Sequence, residues 1–159
     1  MPGVAVVTGA GRGFGRAIAH RLAGRGHSVL ATDVDEGAAA ATAELVGGRS
    51  MRLDVRNPGA HRAAARAAAE QGPLEVWVNN AGVMRTGQAW EHSDEDVRLT
   101  CDVNLLGVIW GSLAAVDAMR ASAGGTRHIV NLASLSSFGP VPGLALYAAT
   151  KHAVLGFTG

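Results

Sequence analysis

The chain has 159 residues, of which 48% are hydrophobic and 17% charged, and its formal net charge is +1. That is enough apolar sequence for one domain, residues 1–159, with a sizeable core, and it excludes extended disorder. Arginines spread along the chain leave no basic stripe for a nucleic acid, and a single cysteine, Cys101, excludes an internal disulfide.

Cys101 lies among apolar residues and reads as an inert buried thiol in a reducing compartment. The six histidines make no metal-ligand spacing with cysteine or carboxylate. The start, MPGVAVVTGAG, passes directly into a strand pattern without the basic and long apolar regions of a secretion signal. No window approaches the length of apolar run that spans a bilayer. The expectation is a cytoplasmic protein with no membrane partner.

Short apolar runs alternate with helix-like segments, the pattern of a parallel sheet with crossover helices. Val4–Val7 reads as the first strand, followed by a glycine loop and a helix from about Gly13 to Arg25 with Phe14, Ala17, Ile18 and Leu22 on one face. Ser28–Thr32 is the second strand and Gly37–Val46 the second helix. Arg49–Val55 is expected as the third strand. The helix after it starts at an asparagine cap, Asn57, with Pro58 in its first turn. Leu74–Asn79 is the fourth strand. Ser93, with Asp96 three residues on, caps a long helix reaching about Ala121. His128–Ala133 is expected as the fifth strand, and a loop, SLSSFGPVPG, leads to a last helix carrying Tyr147 and Lys151.

Between the first strand and first helix stands TGAGRGFG, with Thr8, Gly9, Gly11, Arg12, Gly13, Phe14 and Gly15 as candidate cofactor-binding residues. Glycines at such a turn let the backbone approach a pyrophosphate, and the helix start supplies free N–H donors. Phe14 stands where the third glycine of G-x-G-x-x-G would fall. Asp33, at the end of the second strand, can accept from a ribose hydroxyl pair or, alternatively, serve as a solvated strand end or helix cap. Its carboxylate would repel a 2′-phosphate, which favours NAD; Arg12 could neutralise that phosphate, which keeps NADP possible.

YAATK holds the only tyrosine and the only lysine of the chain, four residues apart. That offset places both on one helix face, where an ammonium favours a phenolate over a phenol. Ser134 ends the fifth strand on the edge where open parallel sheets bind ligands, with Ser136 and Ser137 as close rivals. Asn104 is an amide inside the long helix among apolar neighbours, either a functional group or a buried partner for the backbone.

Together these residues resemble the short-chain dehydrogenase/reductase family. T-G-x-x-x-G-x-G falls on Thr8, Gly9, Gly13 and Gly15, N-N-A-G on Asn79–Gly82, and the family's aspartate after the third strand on Asp54. The resemblance implies a Rossmann-like doubly wound α/β fold in three layers, and a hydride exchanged between a nicotinamide and a small alcohol or ketone. It implies Tyr147 as acid/base, Lys151 as its electrostatic partner and ribose ligand, Ser134 orienting the substrate oxygen, and Asn104 supporting a water. Asp54 and Val55 would meet the adenine, and Asn80, Ala81 and Gly82 would line the coenzyme. It further implies a homo-oligomer.

Measured against the family pattern, a sixth strand and a substrate lid are not found within the 159 residues. The expectation for this chain is therefore an incomplete domain, prone to self-association and weakly active. A non-catalytic nucleotide-binding or interaction module stays open beside the enzyme.

Overall fold

Val4–Thr8 forms β1, and all five residues are buried because the strand runs through the middle of a parallel sheet covered on both faces. The computed structural model describes residues 3–121 and 125–159; Met1 and Pro2, where the expected signal-free start begins, lie outside them. In chain order the elements are β1, α1 (Gly13–Ala23), β2 (Ser28–Asp33), α2 (Glu36–Val46), β3 (Arg49–Arg52), α3 (Pro58–Ala69) and β4 (Leu74–Asn79). They continue with α4 (Asp94–Cys101), α5 (Gly107–Ala121), β5 (His128–Asn131) and α6 (Ala145–Thr158).

The five strands are parallel in the order β3-β2-β1-β4-β5. The order reverses between β1 and β4, so their carboxyl ends open a crevice where such sheets bind ligands. Strand alternation divides the core into two layers. Val4, Val6 and Trp77 pack with Ala64, Ala115 and Met119 on the α3 and α5 side. Ala5, Val7 and Val78 pack with Ala19 and Ala43 on the α1 and α2 side. This is the three-layer, Rossmann-like arrangement expected.

Local signals hold at the helix starts. Asn57 accepts from Gly59 N at 2.8 Å with Pro58 in the first turn, and Ser93 and Asp96 cap each other at the start of α4.

Several boundaries differ from expectation. β3 stops at Arg52 rather than Val55 and β5 at Asn131 rather than Ala133, since the chain beyond each turns out to line the crevice. One further ladder bond survives in each place, Leu53 N to Asp33 O at 2.8 Å and Leu132 N to Asn79 O at 3.1 Å. α1 ends at Ala23 and buries Gly15 and Ala19, whereas Phe14 is 81% exposed and faces the crevice rather than the core. Cys101 is only half-buried.

The long helix is continuous from Asp94 to Ala121 but contains a π turn at Asp102–Leu106. Such a turn admits one extra residue, and here it carries Asn104 fully inside. Among the described residues this helix alone is long and apolar enough to cross a membrane, and half of its most apolar window is buried in the fold.

Candidate active site

The crevice begins at the glycine loop, where Gly9 and Gly13 take positive φ of 64° and 55°. A methyl group on Gly15 would collide with Gly9 O and Asn80 Nδ2, so only glycine lets α1 start this close to β4. Arg12 caps α1 without a side-chain hydrogen bond, which leaves the first N–H groups of the helix to an anion.

The loop is tied to the segment after β4. Thr8 Oγ1 donates to Val78 O at 3.3 Å and accepts from Asn80 N and Ala81 N at 3.1 Å each. Asn80 Nδ2 donates to Thr8 O at 2.8 Å and Gly9 O at 3.0 Å. Thr8 is 1% exposed, so it acts through these bonds rather than by touching a ligand. Asn79 is also structural: it joins Trp77, Ser112 and Asn131 beneath the crevice at 2.8–3.1 Å.

A cavity of about 450 Å³ runs from the end of β2 across the loop to β4. Gly9, Arg12, Phe14, Gly15 and Asp33 line one side; Asp54, Val55, Asn80, Ala81 and Gly82 line the other. Gly11 and Gly13 do not reach it: Gly11 is buried and donates to Asp33 Oδ2 at 2.9 Å, and Gly13 opens α1 on the outside. Asp33 also accepts from Asp35 N at 3.1 Å, which fixes its carboxylate at the cavity edge.

Arg56 grips Asp54 at 2.6 Å, and that hydrogen-bonded pair holds the Asp54 carboxyl below the usual carboxylate range. Val55 O accepts from His61 Nε2 at 2.9 Å. His61 is fully buried beside Trp77, and burial lowers its pKa from the ordinary histidine value.

A second cavity of about 610 Å³ adjoins the first across Phe14, Asn80, Gly82 and Val83. Ser134, Tyr147 and Lys151 line it together. The rival serines are separated by burial: Ser136 and Ser137 are 4% and 3% exposed and line neither cavity, while Ser134 opens to the second. Ser134 Oγ accepts from Ser136 N at 3.2 Å, which leaves its hydroxyl proton for a ligand. Lys151 is 4% exposed and donates to Leu132 O at 2.7 Å. Burial pushes its ammonium below the usual lysine range.

Asn104 lines neither cavity. Its carboxamide pairs with the Val83 backbone, accepting from N and donating to O at 2.8 Å each, and Nδ2 also donates to Thr150 Oγ1 at 3.2 Å. Thr150 in turn donates to Tyr147 O at 2.8 Å, so the π turn, the N-N-A-G segment and α6 are joined through one amide. Met84, Leu132 and Leu135 supply apolar walls of the second cavity. Among the described residues no group of histidine, cysteine and carboxylate side chains could hold a metal.

The family model for short chain dehydrogenases matches residues 3–159. The 3-oxoacyl-[acyl-carrier-protein] reductase FabG of Escherichia coli is 35% identical over 98% of this chain and 64% of its own length. The trans-4-hydroxycyclohexanecarboxylate dehydrogenase of Sinomonas cyclohexanicum is also 35% identical, over 98% of this chain and 63% of its own. A short chain dehydrogenase/reductase from Burkholderia phymatum, solved in complex with NAD, superposes with a TM-score of 0.91 at 39% identity. That superposition covers 99% of this chain and 58% of the other. The chain therefore spans about three fifths of the length of the relatives it matches. With a family match along nearly its whole length and a fold to agree, the chain belongs to the short-chain dehydrogenases.

Proposed function

We propose that this chain carries the coenzyme site and the acid–base site of an oxidoreductase that interconverts an alcohol and its ketone with NAD. The observation that carries the reading is the convergence of Ser134, Tyr147 and Lys151 on one cavity that adjoins the glycine-loop cavity. Three groups from two different elements meet where a reacting oxygen would sit.

NAD fits the first cavity by the chemistry of its walls. Asp33 supplies a fixed carboxylate for the adenosine ribose, Val55 an apolar wall, and the uncapped start of α1 the donors for a pyrophosphate. Asp33 opposes a 2′-phosphate. Arg56 is engaged by Asp54 and Val34 offers no charge, which leaves Arg12 as the lining cation for NADP. When bound, the nicotinamide supplies the hydride acceptor or donor.

The chain's own residues move the proton. Ser134 donates its hydroxyl proton to the substrate oxygen and holds it near Tyr147. Tyr147 takes the alcohol proton in the oxidative direction and returns it in reduction. Lys151, 5.8 Å from the tyrosine ring centroid, favours the negative charge that develops on the phenol oxygen. Asn104 orders Val83 and, through Thr150, α6, and would in that way support a water in the proton relay. The apolar remainder of the second cavity supports a small substrate with an apolar body beside the reacting oxygen. The names of the two enzyme relatives, a 3-oxoacyl-[acyl-carrier-protein] reductase and a trans-4-hydroxycyclohexanecarboxylate dehydrogenase, support a ketone or secondary alcohol as the reacting group.

Exposed Leu106, Leu113 and Val116 along the α4–α5 helix support pairing between copies.

The test is reduction of NAD by the full-length protein with a panel of cyclic and open-chain secondary alcohols, followed by the absorbance of the reduced nicotinamide. Turnover with NAD exceeding that with NADP is expected. No turnover in either direction with either coenzyme would remove the proposal.

A further inference from the structure

In the glycine loop the carbonyls, not only the amides, are accounted for. A carbonyl oxygen pointing into a pyrophosphate site repels the phosphates, so five consecutive C=O groups from Thr8 to Arg12 must all be turned away. Asn80 Nδ2 takes Thr8 O and Gly9 O, and Arg16 N takes Arg12 O in the first turn of α1. The other two are held by side chains to which the coenzyme reading gives no role. Thr42 Oγ1 donates to Ala10 O at 2.9 Å, and Arg16 Nη2 donates to Gly11 O.

The two holders are themselves joined. Arg16 Nε donates to Thr42 Oγ1 at 3.0 Å, so the threonine hydroxyl accepts from the guanidinium and passes its own proton to the loop. Thr42 lies in the middle of α2, 26 residues from Arg16 and 32 from Ala10, and it is fully buried. A buried hydroxyl in a helix usually returns to its own backbone; this one is spent across the layer on the loop. The guanidinium is fork-shaped, and it serves two acceptors at once, which a lysine ammonium would do less rigidly. On the opposite side, Ala10 N is held by Thr32 O at 2.9 Å and Gly11 N by Asp33 Oδ2.

We infer that Arg16 and Thr42 form a clamp that positions the glycine loop for the pyrophosphate of the coenzyme, holding the Ala10 and Gly11 carbonyls out of the phosphate site from outside the cavity. The inference rests on the coenzyme reading above. Neither residue lines a cavity, so both are positioning residues that act through the loop backbone. α2, which otherwise only covers the sheet, becomes part of the coenzyme site.

The consequence is specific to phosphate. Releasing the clamp frees the Gly11 carbonyl to rotate toward the anion and leaves the Ala10–Gly11 peptide held only from its N–H side, where Asp33 keeps its own bond to Gly11 N; Asp54 and Val55 on the adenine side have no bond to the clamp. Binding of ADP-ribose should therefore suffer and binding of adenosine should not.

The test uses the full-length protein with Arg16→Met, Thr42→Val and Thr42→Ser. ADP-ribose is titrated by calorimetry and adenosine by NMR. Arg16→Met and Thr42→Val are expected to weaken ADP-ribose by roughly tenfold, a loss typical of hydrogen bonds to a charged or buried group, with adenosine changed by less than about twofold. Thr42→Ser, which keeps the hydroxyl, should bind ADP-ribose as the parent does. Equal losses for both ligands, or no loss for either, would overturn the clamp while leaving the coenzyme reading in place. A parent protein that binds neither ADP-ribose nor NAD would overturn both.

Discussion

Lys151 donates from Nζ to the Leu132 carbonyl at 2.7 Å, so the charge beside Tyr147 is held by the residue just beyond β5 rather than by a counter-ion. A neutral acceptor leaves the ammonium charge uncancelled, and burial keeps solvent from screening it. Lys151→Ala is expected to lower turnover by about a hundredfold or more and to weaken NAD as well. Lys151→Arg should not restore turnover, because a wider, forked cation cannot occupy a 4% exposed site facing one carbonyl. Steady-state kinetics with a coenzyme titration on both variants checks this; recovery by arginine would mean that charge alone suffices.

Asp33 does two things, and substitutions separate them. Its carboxylate lines the cavity edge, and its Oδ2 holds Gly11 N at 2.9 Å. Asp33→Asn removes the charge but keeps an acceptor for the loop, so the preference for NAD over NADP should fall by roughly tenfold, equivalent to about 1.4 kcal/mol. Asp33→Ala removes both and should weaken both coenzymes. Fluorescence titration with each coenzyme decides it. An alanine variant that binds NADP better than the asparagine variant would show that the loop contact is idle.

His61 sets an acid limit on stability. Its folded pKa is depressed by burial, with Nε2 committed to Val55 O and Nδ1 without a partner. The unfolded chain therefore takes up a proton near pH 6.5 that the folded chain refuses. The stabilisation is complete above that pH and is lost as pH falls toward the folded value, by up to about 1.4 kcal/mol per pH unit. Asp54, also depressed, acts by the same sign but in a separate window at and below the ordinary carboxylate range near 3.8. Urea unfolding of the parent at pH 7.5 and 5.5 should show a clear loss at the lower pH. His61→Gln, which can still donate to Val55 O but does not titrate, should flatten that difference.

The sheet was legible because each strand is a short apolar run of the kind a doubly covered parallel sheet requires, and the caps at Asn57 and Ser93 work over two or three residues. The YAATK offset was legible for the same local reason. What escaped depends on neighbours far along the chain. Helical spacing put Phe14 on the face of Ile18, yet the side-chain-free Gly15 is what packs on Gly9 and Asn80, and that turns Phe14 outward. The π turn at Asn104 answers Val83, 21 residues away, and the choice of Ser134 over Ser136 and Ser137 needed the 3-10 turn that buries the last two. Arg16 and Thr42 carry no local signal at all.

The central claim, that Tyr147 is the proton-transfer group of an alcohol–ketone oxidoreductase, is tested most directly by Tyr147→Phe in the full-length protein. The substitution removes one oxygen and leaves the ring beside Lys151, so turnover should fall by about two to four orders of magnitude. NAD affinity, measured on the same sample, should stay within about twofold, since only the proton-transfer oxygen is removed and Lys151 and the glycine-loop cavity are left unchanged. Near-normal turnover by the phenylalanine variant would contradict the account.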